Sequence, residues 1–272
     1  MEISFDHVSY QGKEECIFLN DFHHTFASNQ IHSIIAEQPT KIPELITMAA
    51  RPTSGSISVD GIQIKKTNRI QDIASVKKRI GLVSCVRKQK FLTKTVYDQI
   101  AICLNNYDTS YTDVEKRIKD SLKMVGLDDS YLMRNPNELS TTEQKKLTFA
   151  TALSYNPDFL IFEYYEKVFS FKEKQQLKQM LRVFKNRYNK TILLITDDVE
   201  FLFELVDNFI VINNGSVVFE GTNKSFYNEE LYQYTDMPEI VEFIKYANEK
   251  GHKIENYTDL KELIKGIYRD VS

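Results

Sequence analysis

The sequence predicts an α/β fold with a mixed, mainly parallel core sheet, an antiparallel β layer, a helical subdomain and a small helical appendage at the C-terminal end. Three observations predict it. Short apolar runs at 80–84, 159–162 and 191–196 are separated by helical patterns, as strands of a parallel sheet covered on both faces are. Residues 2–10 instead alternate apolar and polar, the mark of a half-buried antiparallel strand. Residues 228–272 carry two amphipathic helical stretches and no strand pattern.

Taken in order, residues 2–10 form a first strand, Gly12 and Lys13 turn the chain, and residues 16–27 form a second. Ile31-His32-Ser33-Ile34-Ile35-Ala36 is a short buried strand. Lys41 to Met48 opens a helix with Pro43 in its first turn, where a missing N–H does no harm. Pro52-Thr53-Ser54-Gly55 is a turn, and Ile57, Val59, Ile62 and Ile64 suit a hairpin turning at Asp60-Gly61. After the strand at 80–84, residues 95–126 are mostly helical. Ser140 caps a helix reaching Ser154, with Glu143 at the capping-box position. The strand at 159–162 precedes a charged helix at 171–188, and the strand at 191–196 precedes a helix at 198–206. Asn213-Asn214-Gly215 joins 209–212 to 217–219 as a hairpin. The closing helices are expected at about 238–250 and 258–268.

With 272 residues, 42% of them hydrophobic, the chain has material for a substantial core. Its net charge of −3 gives no basic signature, so no nucleic-acid role is expected. No apolar run approaches the roughly 20 residues that cross a bilayer. Met1 to Asp6 reads as the start of a strand, so no signal peptide is expected. Cys16, Cys85 and Cys103 lack metal-ligand spacing and read as reduced thiols of a cytoplasmic protein. His23-His24 is no metal site by itself, since neighbours in a strand point to opposite faces and further ligands are not evident. Tyr164, Tyr165, Phe169 and Phe171 are expected to pack in the core or at an edge, with a recognition surface as the alternative. Arg87-Lys88-Gln89-Lys90 reads as a solvated loop.

Several short stretches, in order, resemble the ATP-binding subunit of ABC transporters. Phe5 to Tyr10 is similar to the opening strand with its adenine-stacking aromatic, Tyr10. Pro52 to Gly61 resembles the segment after the P-loop helix, and Gly81 to Ile100 the Q-loop region, where Arg87 to Lys90 would lie beside the groove for the membrane subunit's coupling helix. Glu138-Leu139-Ser140 resembles the start of the signature motif, Asn156 to Phe162 the Walker B strand, and Asn213 to Thr222 the closing strands. Met237 to His252 and Tyr257 to Leu260 are similar to the C-terminal dimerisation segment of energy-coupling-factor transporter ATPases. The resemblance implies an ABC-ATPase (P-loop NTPase-like) domain over 1–227, its helical subdomain at about 86–156, and a dimerisation-like segment over 228–272. It implies a homo- or heterodimer with an ABC ATPase and a membrane transporter subunit as partners, hence a place on the cytoplasmic face of a membrane.

The residues at the expected catalytic positions depart from that pattern. A P-loop needs glycines because its N–H groups wrap phosphates in conformations that a Cβ blocks. No glycine occurs between Gly12 and Gly55, and Pro39 and Pro43 remove two donors from Ala36-Glu37-Gln38-Pro39-Thr40-Lys41-Ile42-Pro43. Where the family has Leu-Ser-Gly-Gly-Gln, this chain has Leu139-Ser140-Thr141-Thr142-Glu143. At the Walker B Asp and Glu stand Glu163 and Tyr164, and a neutral tyrosine is a poor general base. Cys85 takes the Q-loop glutamine position and Asp197 that of the switch histidine, while the D-loop aspartate falls near Ser170. These losses remove phosphate cradle, metal ligand, water activator and γ-phosphate sensor together. No catalytic residue and no cofactor are therefore expected. Mg²⁺-ATP, if bound, would use Tyr10, Thr40, Lys41 and Ser140, with Glu163 toward the metal. The reading that follows is a hydrolysis-deficient homologue serving as scaffold or regulatory partner. The alternatives are a divergent energy-coupling-factor ATPase that slowly hydrolyses ATP, and a protein that binds nucleotide without cleaving it.

Overall fold

The structure, a computed structural model, describes residues 1–12, 17–36, 40–64, 70–85, 90–106 and 114–271. Lys13, Cys16, Glu37, Gln38, Pro39 and Arg87 to Gln89 lie outside them.

Two sheets form the body. The first is antiparallel, in the order β2 (Ile17–Phe26), β1 (Ile3–Gln11), β4 (Ser54–Val59), β5 (Ile62–Ile64). The second has six strands: β10 (Ser216–Thr222), β9 (Asn208–Asn213), β3 (Ile31–Ile35), β8 (Thr191–Thr196), β7 (Phe159–Glu163), β6 (Ile80–Ser84). All its pairings are parallel except the β9–β10 hairpin at one edge. Both predicted hairpin turns are present, and Asp60-Gly61 and Asn214-Gly215 have the two successive positive φ angles that such turns demand.

Side chains leave the six-stranded sheet alternately, and that alternation makes two cores. Ile34, Phe159, Ile161, Leu193, Ile195 and Ile210 face the antiparallel layer, where Phe5, Phe22 and Phe26 meet them. Ile35, Leu160, Phe162, Leu194, Phe209 and Val211 face the other way, into the helical layer. That layer includes α3 (Val96–Asn106), α4 (Val114–Met124), α5 (Thr141–Ser154) and α6 (Phe171–Tyr188). Ile240, Val241, Ile244 and Leu263 of the closing helices α8 (Glu239–Glu249) and α9 (Leu260–Val271) join the same core. The helices α6 and α5 have the bounds their patterns predict, and both open with complete capping boxes, Ser170 with Glu173 and Ser140 with Glu143.

Three elements differ from expectation. Helix α2 (Ile70–Lys77) lies where no helix was predicted. The helix at 198–206 shrinks to α7 (Val199–Leu202). Most consequential, α1 is only Ile42–Ile46. Thr47 Oγ1 donates to the Pro43 carbonyl at 2.7 Å, and Met48 then turns left-handed with φ 55°. The amides of Ala49 and Ala50 fold back onto the Glu44 carbonyl, closing the helix after little more than one turn.

Candidate functional site

In an open parallel sheet, ligands bind beyond the carboxyl ends of the strands. At that edge the structure gathers most of the residues the sequence singles out. Thr40 and Lys41 follow β3, Cys85 follows β6, Glu163 and Tyr164 end β7, and Asp197 follows β8.

Tyr164 is the hub. It has a left-handed backbone, φ 49°, its amide donates to the Ile195 carbonyl at 2.8 Å, and its side chain is only 7% exposed. The phenol donates to the Ala36 carbonyl at 2.6 Å. The position that would polarise water thus ties the end of β7 to the end of β3. Burial first, then Asp197, Glu163 and Glu166, push the phenol well above its usual range. It stays protonated at physiological pH and serves no base function.

Around it, charged groups are satisfied by one another. Ser84 Oγ donates to Glu163 Oε2 at 2.6 Å, and the Cys85 amide donates to the Glu163 carbonyl at 2.9 Å. Below them the buried Lys145 reaches the Ser84 carbonyl at 3.3 Å, and burial raises the Cys85 thiol above its usual value. Asp197 is held by Lys167 at 2.8 Å, and the same ammonium lies 4.8 Å from the centre of the Tyr164 ring. Thr196 Oγ1 donates to the buried Glu166 at 2.5 Å, whose carboxyl burial pushes up. Sequence reasoning missed Lys145, Glu166 and Lys167. Only for Lys167 was there a signal, an opposite charge one strand away from Asp197.

The phosphate side is equally committed. Lys41 Nζ donates to Glu44 Oε1 at 2.9 Å, one helical turn on. Five-residue α1 aligns too few peptide dipoles to attract an anion. Thr40 Oγ1 is the exception: buried, with no hydrogen-bond partner. Tyr10 is half-buried and packs against the core beneath the antiparallel layer.

Ser140 stands apart from this group, at the start of α5. Its amide and its hydroxyl both donate to Glu143 Oε2, at 2.8 and 2.7 Å, and Tyr131 Oη donates to the other carboxylate oxygen at 2.6 Å. The Ser140 hydroxyl first, then Tyr131, hold the Glu143 carboxyl down at about 2. A charged carboxylate therefore already occupies the donors that a signature serine offers. Ser170, at the start of α6, makes the same bonds with Glu173.

Among the described residues, this edge offers Mg²⁺-ATP few groups that are not already bonded within the chain. Lys41, Glu163 and the Ser140 amide and hydroxyl already have partners within the chain, and the Tyr164 phenol is bonded to the Ala36 carbonyl. Among the described residues Thr40 Oγ1 is buried with no hydrogen-bond partner, as are Ser33 Oγ and His32 Nδ1 on β3.

The sequence model of the family described as ABC transporter matches residues 40–163. Among curated proteins, the energy-coupling factor transporter ATP-binding protein EcfA1 of Ureaplasma parvum is 29% identical, over 98% of this chain and 91% of its own length. The EcfA2 protein of Staphylococcus aureus is 23% identical, over 99% of this chain and 98% of its own. Among solved structures, cbiO1 from Clostridium perfringens, part of the ABC transporter complex cbiONQ, superposes with a TM-score of 0.73 at 18% identity, over 92% of this chain and 97% of its own. The dimeric cassette MJ0796 gives 0.71 at 21%, over 81% of this chain and 98% of its own, and has also been solved in a post-hydrolysis state bound to ADP and Pi. These likenesses establish the ABC-cassette fold.

Proposed function

For a chain that carries the ABC transporter domain and the cassette fold, we propose the role of a hydrolysis-deficient subunit of an energy-coupling-factor type transporter, acting as scaffold or regulatory partner. The observation that carries this reading is the Tyr164 phenol bonded to the Ala36 carbonyl. A neutral, buried group spans the gap where a carboxylate would activate water. Both halves of a composite site are altered, the P-loop side and the signature side. Pairing with an intact ATPase would thus weaken both shared sites, unlike a heterodimer that spares one.

The relatives, named ATP-binding proteins of energy-coupling factor transporters, support the subunit role and its partners: a second ABC ATPase and a membrane component. The dimerisation-like segment is assigned to residues 228–272, where Phe243, Tyr246, Leu260 and Ile264 leave large apolar side chains exposed. Among the described residues no helix is long and apolar enough to cross a membrane, so attachment would run through such a partner. Thr40 favours a second reading, nucleotide held without efficient cleavage. A divergent ATPase that slowly hydrolyses ATP through Lys41 and Glu163 is the reading opposed to both.

Affinity isolation of the tagged chain from its detergent-solubilised native membranes tests the scaffold role. The expected result is recovery with a membrane-embedded protein and an ABC ATPase of intact Walker motifs. Recovery of the chain alone, as a monomer, overturns it.

A further inference from the structure

Two bulges interrupt the β1–β2 hairpin. Phe5 pairs with His24 and Val8 with Phe22, so Asp6 and His7 together face His23. One step on, Val8 pairs with Phe22 and Tyr10 with Leu19, which leaves an extra residue on β2. His7 and Asp21 are left-handed, both at φ 48°. A regular strand would send Asp6 and His7 to opposite faces, whereas here both are exposed, alongside His23. Strand β4 seals the other side: a Cβ on Gly55 would lie 2.2 Å from the His7 carbonyl oxygen. The bulge is therefore held by strands on both flanks.

We propose that Asp6, His7 and His23 form a site for a divalent transition metal of zinc-type chemistry on the outer face of this hairpin. Their candidate ligand atoms lie within 4.8 Å of one another. His23 Nδ1 and Asp6 Oδ1 are 3.4 Å apart. Two ligands of a tetrahedral zinc, at about 2.0–2.1 Å each, are separated by roughly 3.4 Å. The His7 and His23 rings are 5.0 Å apart at 34°, which leaves room for one ion between their nitrogens. His7 Nδ1 meets Asp21 Oδ1 at 2.8 Å, which fixes the proton on Nδ1 and leaves Nε2 as the metal-binding nitrogen. A carboxylate behind a ligating histidine is the usual support of such sites. Two imidazoles and one carboxylate, completed by water, suit Zn²⁺, Co²⁺, Ni²⁺ or Cu²⁺. Mg²⁺ and Ca²⁺ prefer all-oxygen sets. The sequence conceals the arrangement because His23 finds its partners across the sheet, while neighbouring His24 turns inward to Glu220 at 3.1 Å.

Calorimetric titration of the purified full chain with ZnCl2, MgCl2 and CaCl2 tests the proposal. One equivalent of zinc is expected to bind, with no binding of the other two. The His7→Asn/His23→Gln double variant, with asparagine chosen because it tolerates the left-handed backbone, is expected to lose at least ~100-fold in zinc affinity. Its metal-free melting temperature should stay near that of the parent. Asp6→Asn, which disturbs the backbone less, should weaken zinc at least ~10-fold and decides the matter if the double variant fails to fold. Asp21→Asn is expected to lose about 10- to 100-fold and to shift the visible bands of bound Co²⁺. Cobalt bands of a nitrogen–oxygen set, without an intense thiolate band, support the site. Absence of zinc binding, zinc binding unchanged in the variants, or a thiolate-to-cobalt band from the cysteines each overturns it.

Discussion

Replacing Tyr164 by glutamate is expected to destabilise the protein by about 3–5 kcal/mol at neutral pH, the range for a buried charge left uncompensated. For a chain of this size that lowers the melting temperature on the order of 10 °C. The new carboxylate would enter a space only 7% exposed that already faces Asp197, Glu163 and Glu166. It would also forfeit the 2.6 Å bond to Ala36 and the ring beneath Lys167. Its pH dependence identifies the cause. Burial and three neighbouring acids raise the introduced carboxyl above its unfolded value, so the folded variant binds more protons than the unfolded chain. Its deficit should then shrink as pH falls from about 8 to about 5. Tyr164→Phe, which removes only the hydroxyl, should cost about 1 kcal/mol with no such dependence. Urea denaturation at several pH values checks both. A Tyr164→Glu variant as stable as the parent would mean that the pocket accommodates a carboxylate.

Gly55→Ala should be almost as damaging, at about 3 kcal/mol or more. Gly55 has φ 79°, and a Cβ there meets the His7 carbonyl oxygen at 2.2 Å and that of Asp6 at 2.6 Å. Both obstacles are backbone, so no side chain can swing aside. Gly61→Ala is the control. It has nearly the same φ, 77°, with open space around it, so it should lose only the roughly 1–2 kcal/mol of a left-handed backbone. Equal losses in the two variants would show that β4 does not press on the bulge.

The contrast between these glycines shows what a sequence can and cannot reveal. Asp60-Gly61 is legible because a two-residue hairpin turn has a local signature. The capping box of Ser140 and Glu143 is legible for the same reason, as four residues specify it. Gly55 reads only as part of a turn, since its constraint comes from β1, far away in the sequence. The bulge at His7 is hidden likewise, because register is set by pairing between strands. At the candidate site, the identities of Cys85, Glu163, Tyr164 and Asp197 pointed to this edge of the sheet. Their partners did not follow from identity. Lys167 on Asp197, Ser84 on Glu163 and the Ala36 carbonyl on Tyr164 emerge only when four strands end at one edge. The brevity of α1 was concealed too: Pro43 announces a helix start, while its early end depends on the Thr47 hydroxyl and the left-handed Met48.

The central claim is that this cassette does not hydrolyse ATP, and phosphate release from Mg²⁺-ATP by the purified chain, run beside Lys41→Ala, tests it most directly. The account predicts release indistinguishable from that of buffer for both proteins, even at millimolar nucleotide. Steady release by the parent that Lys41→Ala abolishes would contradict it, and would mean that Lys41 and Glu163 still assemble a working site.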